Sequence, residues 1–303
     1  MDFRHIDAFR AVMLTRSSTK AAQLLGTSQP GISRLIADLE RTTQLTLFSR
    51  ERGRLEPTET AVELFGEVQR RYAGLDNIRE FALSLRNPDE AIIRAGSVMS
   101  FGLGYFARAI AEFHKTHPSI RVALTTGFST EIRDHVVART LDLGIVTDQV
   151  DLSETDAISI AKLPALCALP AQHPLARKSV IHALDLHGCN FISYEAADMI
   201  RWGVDDLFRE AGVTPQVTAS VRYSVNICTL VREQVGVGLV HPVAAYDFLE
   251  SDGIVFRRFE PAMTFHSIRI KPRTPAASAQ TEALLDALDR TLVKTIADVE
   301  AHL

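Results

Sequence analysis

The sequence predicts an α/β protein that carries a small, all-α module at its N-terminus. Three observations lead there: purely helical apolar spacing up to about residue 45, a proline-free stretch over 58–86, and alternating strand-like and helix-like segments over 91–303. A length of 303 residues exceeds one ordinary core and calls for two or three domains. Hydrophobic residues at 46 % and charged residues at 23 % exclude the disordered and fibrous classes. The start, MDFRHIDAFR, lacks the apolar core of a signal peptide, and no apolar run approaches the roughly 18–20 residues that cross a bilayer. A cytoplasmic chain without membrane contact is expected. Cys167, Cys189 and Cys228 share no metal-ligand spacing and read as small buried hydrophobes; no metal or cofactor is expected.

In the N-terminal module, Ile6, Phe9 and Met13 share one face of a first helix. Ser18 is placed to cap a second, with Ala21, Ala22, Leu24 and Leu25 as its apolar stripe, and Gly26 to take the left-handed turn that ends it. Thr27 or Ser28 can then cap a third helix with Pro30 in its first turn, where no N–H partner is lost. Ile32, Leu35, Ile36 and Leu39 repeat at helical spacing and must face a core. Gln29, Ser33 and Arg34 are left opposite, near the N-terminal end. A recognition helix is built this way, with one face anchored and polar groups offered to base edges in a major groove. An ordinary amphipathic helix with a solvated face fits the same spacing.

The next segment tips the balance. Leu47-Phe48-Ser49-Arg50 alternates like a strand, Glu51-Arg52-Gly53 can turn, and Arg54-Leu55-Glu56 can return. The hairpin displays Arg50, Arg52 and Arg54 beside the third helix, as a wing that neutralises phosphates and probes a minor groove would. Charge is distributed accordingly. Residues 1–58 hold nine basic against six acidic groups, net +3, which leaves 24 against 31, net −7, for the remainder.

The string SSTKAAQLLGTSQPGISRLIADLERTTQLTLFSRERGRLEPTETA resembles the DNA-binding signature of the LysR-type transcriptional regulators. Ala21-Ala22, Ser28-Gln29-Pro30, Ser33-Arg34, Leu39-Glu40, Leu47-Phe48, Arg50 and Pro57-Thr58 carry the match. Leu45, where the family usually has Gly, and Glu59-Thr60 depart from it. The resemblance implies a winged helix-turn-helix over residues 1–58 that binds double-stranded promoter DNA through Ser28, Gln29, Pro30, Ser33, Arg34, Arg50, Arg52 and Arg54.

From Thr58 to Arg86 the heptad positions Ala61, Leu64, Val68, Arg71, Leu75, Ile78, Ala82 and Leu85 are apolar except for Arg71. A coiled-coil seam and a helix packed on its own domain both fit. The family likeness favours the seam, and with it a dimer formed through a linker over 59–90, assembling further to a tetramer, with RNA polymerase as a candidate partner. Asn87-Pro88-Asp89 ends the helix as a hinge.

In the body, strands are expected at Ala91–Val98, Ile120–Thr126, Leu143–Val146, Lys162–Pro170, Cys189–Ser193, Val217–Val221, Gly236–His241 and Thr264–Lys271. Helices fall between them at Leu103–His117, Ser129–Arg139, Ile200–Ala211 and Ser224–Val235, with a last one at Ala277–His302. Parallel sheets in two subdomains around a cleft would follow. The body is similar to the LysR-type effector domain, itself like periplasmic binding proteins. That likeness implies subdomain I at about 91–161 and 272–303, subdomain II at about 165–266, and crossings near 161–165 and 266–272.

Strand ends offer the effector contacts: Met99, Ser100 and Phe101 after the first strand, Phe128 and Ser129 after the second, Thr147 after the third, and Glu195, Tyr223, Ser224 and His241 in subdomain II. Ser100, Ser129 and Ser224 sit where helix N-termini favour an anionic group. Glu195 suits an amine or guanidinium on the effector, or is a solvated loop acid. Trp202 reads as core, or as a cleft wall. The stretch ICTLVREQVGVGLVHPVAAY resembles regulators of opine and amino-acid catabolism, which implies a small-molecule effector that is an amino-acid derivative bearing carboxylate and cationic groups, with another organic acid as the alternative. An enzyme is the rival class, yet no G-x-S-x-G, P-loop, H-E-x-x-H or G-x-G-x-x-G after a strand is present. A solute-binding protein with an unrelated head is the other, disfavoured by the N-terminal match.

Overall fold

A computed structural model describes residues 1–51, 54–69, 72, 92–196, 199–274 and 277–303, the side chains of Arg50, Glu51 and Arg54 excepted. The chain divides into two compact units, Met1–Ala82 and Leu83–Leu303.

The first unit opens with α1 (Phe3–Thr15), α2 (Ser18–Leu24) and α3 (Gln29–Thr43). Phe9, Met13, Ala21, Ala22, Ile32, Ile36 and Leu39 form its core. Leu24 and Leu25, expected in that core, are exposed because α2 ends at Leu24 and the chain turns outward through Gly26, φ +63°. Ser17 rather than Ser18 caps α2 by accepting from the Lys20 amide, and Ser28 caps α3 by accepting from the Gly31 amide. Gln44 supplies the left-handed residue after α3 at φ 55°, so Leu45 in the usual Gly position carries no strain. β1 (Phe48–Glu51) and β2 (Arg54–Pro57) pair antiparallel as the wing, with Arg50 opposite Leu55.

A further helix, α4, runs over residues 59–69. The Thr58 hydroxyl accepts from the Ala61 amide at its start. Ala61 and Val68 are buried in the core of the first unit, with Leu64, Phe65 and Tyr72 packed against it. The opening heptads of the expected seam therefore face the module's own interior; Arg71, Leu75, Ile78, Ala82, Leu85 and the hinge at 87–90 lie outside the described residues.

The second unit has two lobes. Lobe I holds β3 (Ile92–Ser97), α5 (Met99–Gly102), α6 (Gly104–His114), β4 (Arg121–Thr126), α7 (Ser129–Val137), β5 (Leu143–Thr147) and β6 (Thr155–Pro164). Lobe II follows with β7 (Leu166–Pro170), β8 (Val180–His182), β9 (Asn190–Tyr194), α8 (Met199–Glu210), β10 (Gln216–Val221), α9 (Ser224–Arg232), β11 (Gly238–Val240), α10 (Pro242–Ala245) and β12 (Ile254–Glu260). β13 (Thr264–Pro272) and α11 (Ala279–Ala301) close the chain.

Lobe I is built on a five-stranded sheet, β4-β3-β5-β13-β6. β4, β3 and β5 are parallel as expected, but β13 runs antiparallel to both β5 and β6. Its Thr264–Pro272 span pairs with β6 along its whole length while Phe265 packs in the core of lobe II, so the two crossing strands run side by side. Lobe II contains the mixed sheet β11-β7-β12-β8 and the parallel pair β9-β10, joined by the bridge between Phe191 and Val237. The expected parallel order holds for β4-β3-β5, β9-β10 and β12-β8, and breaks where β13 pairs with β5 and β6 and where β7 pairs with β11 and β12.

Helix α6 buries Tyr105, Phe106, Ala109 and Phe113 against Leu284, Leu285, Leu288 and Leu292 of α11. Its Tyr105 hydroxyl donates to the Leu288 carbonyl at 2.9 Å. Cys167 and Cys228 are buried and Cys189 is half-buried, and burial raises the Cys228 thiol to about 12.

Candidate functional site

On the first unit, the start of α3 presents Ser28, Pro30, Ser33 and Arg34 to solvent while Ile32 and Ile36 are buried on the opposite face. Gln29 is half-buried: its amide nitrogen donates to the Ser33 hydroxyl at 2.9 Å and to Ser18 at 3.2 Å. These bonds aim the Gln29 side chain along the exposed edge and tie α2 to α3. Arg34 makes no hydrogen bond or ion pair among the described residues. The wing is fastened to this helix by Glu40, whose carboxylate accepts from the Leu47 amide at 2.7 Å and the Phe48 amide at 3.1 Å. Arg50 and Arg54 stand on the paired strands, and Arg52 lies outside the described residues.

Behind this surface, Arg10 donates to Gln69 at 2.8 Å and stacks 4.5 Å over the Tyr72 ring, while the Tyr72 hydroxyl binds Asp7. Burial and the Asp7 carboxylate push that phenol up to about 12. α4 is thereby locked to α1 by polar as well as apolar contacts.

On the second unit, Met99, Ser100, Tyr223 and Ser224 come together around a small space between the lobes, joined by Leu103 and Asp247, which sequence reasoning missed. Met99 and Ser100 open α5 directly after β3, and Tyr223 caps α9 directly after β10. Parallel strands thus deliver both lobes' helix starts to the same cleft.

Asp247 forms an ion pair with Arg108 of α6. The Arg108 guanidinium also lies 4.1 Å over the Tyr246 ring. Gly104 makes room for that carboxylate, since a Cβ there would collide with it.

A second tie links the lobes beside Tyr223. Arg222 lies 4.8 Å over the Phe128 ring and pairs with Glu195 at 3.0 Å. Glu195 therefore already has a cationic partner within the chain, and neither of its expected roles describes it fully. The same carboxylate holds the Arg222 guanidinium above its ordinary pKa. Arg222 too was missed, although it directly precedes Tyr223.

Two expected contacts lie beneath the cleft instead of lining it. Phe101 is fully buried, packed edge-on against Tyr105 at 5.1 Å and His241 at 5.2 Å. His241 is buried too: its Nδ1 accepts from the Val243 amide at 3.1 Å, and its own amide donates to the Ser224 hydroxyl at 3.1 Å. Burial lowers the imidazole to about 3. The Ser224 hydroxyl also bonds the Tyr194 hydroxyl at 2.7 Å, so it organises the cleft floor. Ser129 and Thr147 bond one another at 3.1 Å on lobe I. Trp202, read as core or as a cleft wall, is 59 % exposed and so not core, with its indole nitrogen donating to the Ala196 carbonyl at 3.3 Å. Its α8 buries Val204 and Phe208 on the opposite side.

Among the described residues no group of three or more His, Cys, Asp or Glu could hold a metal ion, and no helix is long and apolar enough to cross a membrane.

Residues 3–62 match the family described as "Bacterial regulatory helix-turn-helix protein, lysR family", and residues 86–292 match "LysR substrate binding domain". The chain is 34 % identical over 303 residues to the transcriptional activator protein LysR of Escherichia coli, covering all of this chain and 97 % of that protein. It is 33 % identical over 297 residues to the regulatory protein NocR of Agrobacterium fabrum, covering 97 % and 99 % of the two chains. The octopine catabolism/uptake operon regulatory protein OccR of Rhizobium meliloti is 32 % identical over 260 residues, or 86 % and 85 % of the two chains. The same fold is seen in full-length CbnR complexed with its target DNA, at a TM-score of 0.72 and 18 % identity over 96 % of this chain and 100 % of that one. The chain belongs to the LysR family of DNA-binding transcriptional regulators, with an N-terminal helix-turn-helix and a substrate-binding effector domain.

Proposed function

We propose that the effector is an amino-acid derivative carrying a cationic and a carboxylate group, held between the two lobes. The observation that carries this reading is that two ion pairs border the cleft, Asp247–Arg108 on its wall and Arg222–Glu195 beside Tyr223, so a carboxylate and a cation of the ligand can each exchange into one of them. A dipolar ligand spanning the two would share Asp247 with Arg108 at its cationic end and Arg222 with Glu195 at its carboxylate end. The likeness of residues 227–246 to opine and amino-acid regulators, and the relative OccR of an octopine catabolism/uptake operon, support the class. Met99, Ser100, Tyr223 and Ser224 shape the space, Phe128 and Glu195 hold Arg222, and Phe101, Ser129, Thr147 and His241 support the walls. A thermal-shift screen of amino acids, opine-like conjugates and plain organic acids tests this, since a ligand at about 100 Kd adds about 2.7 kcal/mol to stability. Stabilisation by plain organic acids alone, unchanged in Asp247→Asn, would refute the dipolar reading.

On DNA, Ser28, Gln29, Pro30, Ser33 and Arg34 read base edges while Arg50, Arg52 and Arg54 bind phosphates and the adjoining groove. The working division is a head over 1–58, a linker over 59–90 and an effector body over 91–303. Dimerisation uses the linker, further assembly gives a tetramer, RNA polymerase is a partner, and the protein acts in the cytoplasm. Effector binding closes the lobes and, through the linker, resets the spacing of two heads on the operator; this requires different effector contacts in the two arrangements. Footprint length and DNA bending that stay fixed at saturating effector would exclude this mechanism.

A further inference from the structure

Three polar side chains form a row across the edge of the lobe I sheet, and none of them belongs to the residues around the cleft. The sheet order sets β5, β13 and β6 side by side, with β6 outermost among the described residues. Val146 of β5 pairs with Ile268 of β13, and Ile268 pairs with Ser159 of β6. Paired residues point to one face of a sheet, as do residues two apart along a strand. Asp148, just past the end of β5, and His266 of β13 therefore share the face on which Val146 and Ile268 are buried against α7. Between Ser159 and Ala161 the register shifts, which leaves Ile160 as an extra residue. A bulge of this kind re-aims its neighbours, and here Ser159 turns toward His266.

Within the row, His266 Nε2 lies 2.9 Å from the Ser159 hydroxyl, and His266 Nδ1 lies 3.0 Å from the Asp148 carboxylate. A carboxylate only accepts, so Nδ1 carries the ring proton and Nε2 is left to accept from Ser159. Ser159 itself is exposed, whereas the His266 side chain is only 21 % exposed. A hydroxyl open to solvent, a base within hydrogen-bond reach and a third group that orients the base are what activate a serine as a nucleophile.

We propose that Ser159 is a covalent acceptor for small activated acyl compounds, with His266 as its general base and Asp148 as the positioning residue. The Ser159 oxygen bonds to the acyl carbon while its proton passes to His266 Nε2. The bond from that carbon to the leaving group breaks, and the leaving group departs with the electron pair and takes up the proton. An acyl ester on Ser159 and the free leaving group are the products, with no oxidant or reductant consumed. Because β6 and β13 are the two crossing strands, the mark falls on the strands that join the lobes.

The probe is p-nitrophenyl acetate on the full-length protein, with nitrophenolate release followed by absorbance and the acetylated residue found by peptide mass spectrometry. A single equivalent of nitrophenolate per chain is expected, with the acetyl group on Ser159, and Ser159→Ala should abolish it. His266→Gln should slow Ser159 acetylation by about 100-fold, the usual contribution of a positioned base. Asp148→Asn should also slow it, since the ring then loses the charge that fixes its tautomer, and Asp148→Glu should recover part of the rate. The unaltered protein supplies a second comparison: unfolding in urea should remove the preference for Ser159. Acetylation confined to lysines, a Ser159 rate that is the same in the unfolded chain, or a rate unchanged by His266→Gln would each overturn the proposal. The effector screen reads the cleft and not this row, so failure here leaves the dipolar-effector reading standing.

Discussion

Arg222 of lobe II lies 4.8 Å over the ring of Phe128 of lobe I, held there by Glu195 at 3.0 Å. Beside the Arg108–Asp247 ion pair, the two lobes touch here through a cation and an exposed aromatic face, a contact worth about 0.5–1 kcal/mol at such a site. An energy this small lets the lobes part to admit an effector, whose own contacts between them then favour closure.

Phe128→Ala should release that contact. The lobe equilibrium is expected to shift by roughly two- to fivefold toward the open form, the Boltzmann equivalent of the lost contact. Small-angle scattering of the ligand-free protein should show a larger radius of gyration, and Arg222→Lys should recover only part of the change because ammonium stacks less well than guanidinium. Identical scattering from wild type and Phe128→Ala would show that the contact does not hold the lobes.

Base reading and phosphate binding should separate by mutation. Gln29→Ala and Ser33→Ala remove the paired side chains on the exposed edge of α3, and each should cost about 1–3 kcal/mol on the operator with little change on random duplex. Arg52→Ala should weaken both duplexes alike and lower the salt slope by about one. Gel-shift titrations on the two duplexes at several salt concentrations make the comparison; equal losses on both for Gln29→Ala would remove it from the base-reading set.

The buried imidazole of His241 predicts a pH dependence of stability. Its pKa is lowered from 6.5 to about 3, so the folded state holds it neutral where the unfolded chain takes up a proton. Stability from this group is complete above about pH 6.5, is drained as pH falls, and is gone near pH 3; within that window the folding equilibrium shifts by roughly tenfold per pH unit. His241→Asn removes the titration, so the gap between variant and wild type should narrow on acidification. Denaturant midpoints at pH 7, 6 and 5 would show it, and a constant gap would mean that His241 is not the group responsible.

The sequence made the first unit legible because its signals are local. Caps, a Gly at the left-handed turn and apolar spacing lie within a few residues of what they control, and Ser28, Gly26 and Ile32 behave as those patterns require. Leu24 and Leu25 misled because an apolar pair at a helix end looks the same whether the chain then turns in or out. In the second unit the strands were mostly found, but direction was not. β13 returns antiparallel between β5 and β6, a long-range pairing that leaves no local mark. Ser100, Tyr223 and Ser224 were reachable from the rule that strand ends carry sites. Asp247 was not, since only the fold brings it to Arg108 and the cleft.

The heptad pattern after Thr58 shows the same ambiguity and yields the sharpest test. An a/d stripe specifies a buried face without naming what buries it. Ala61 and Val68 answer for the first turns: both are buried in the head's own core, and Arg10 and Asp7 of α1 reach Gln69 and Tyr72 just beyond. Val68→Ala should therefore destabilise the head by about 2 kcal/mol, from lost methyl burial and the cavity left behind, without changing self-association. Leu75→Asp and Ile78→Asp, further along the same stripe, should instead dissociate the dimer if the seam is formed there. Sedimentation velocity across a concentration series separates the outcomes. Dissociation by Val68→Ala would mean that this residue faces a second chain, and that the helix meets its partner from its first turn.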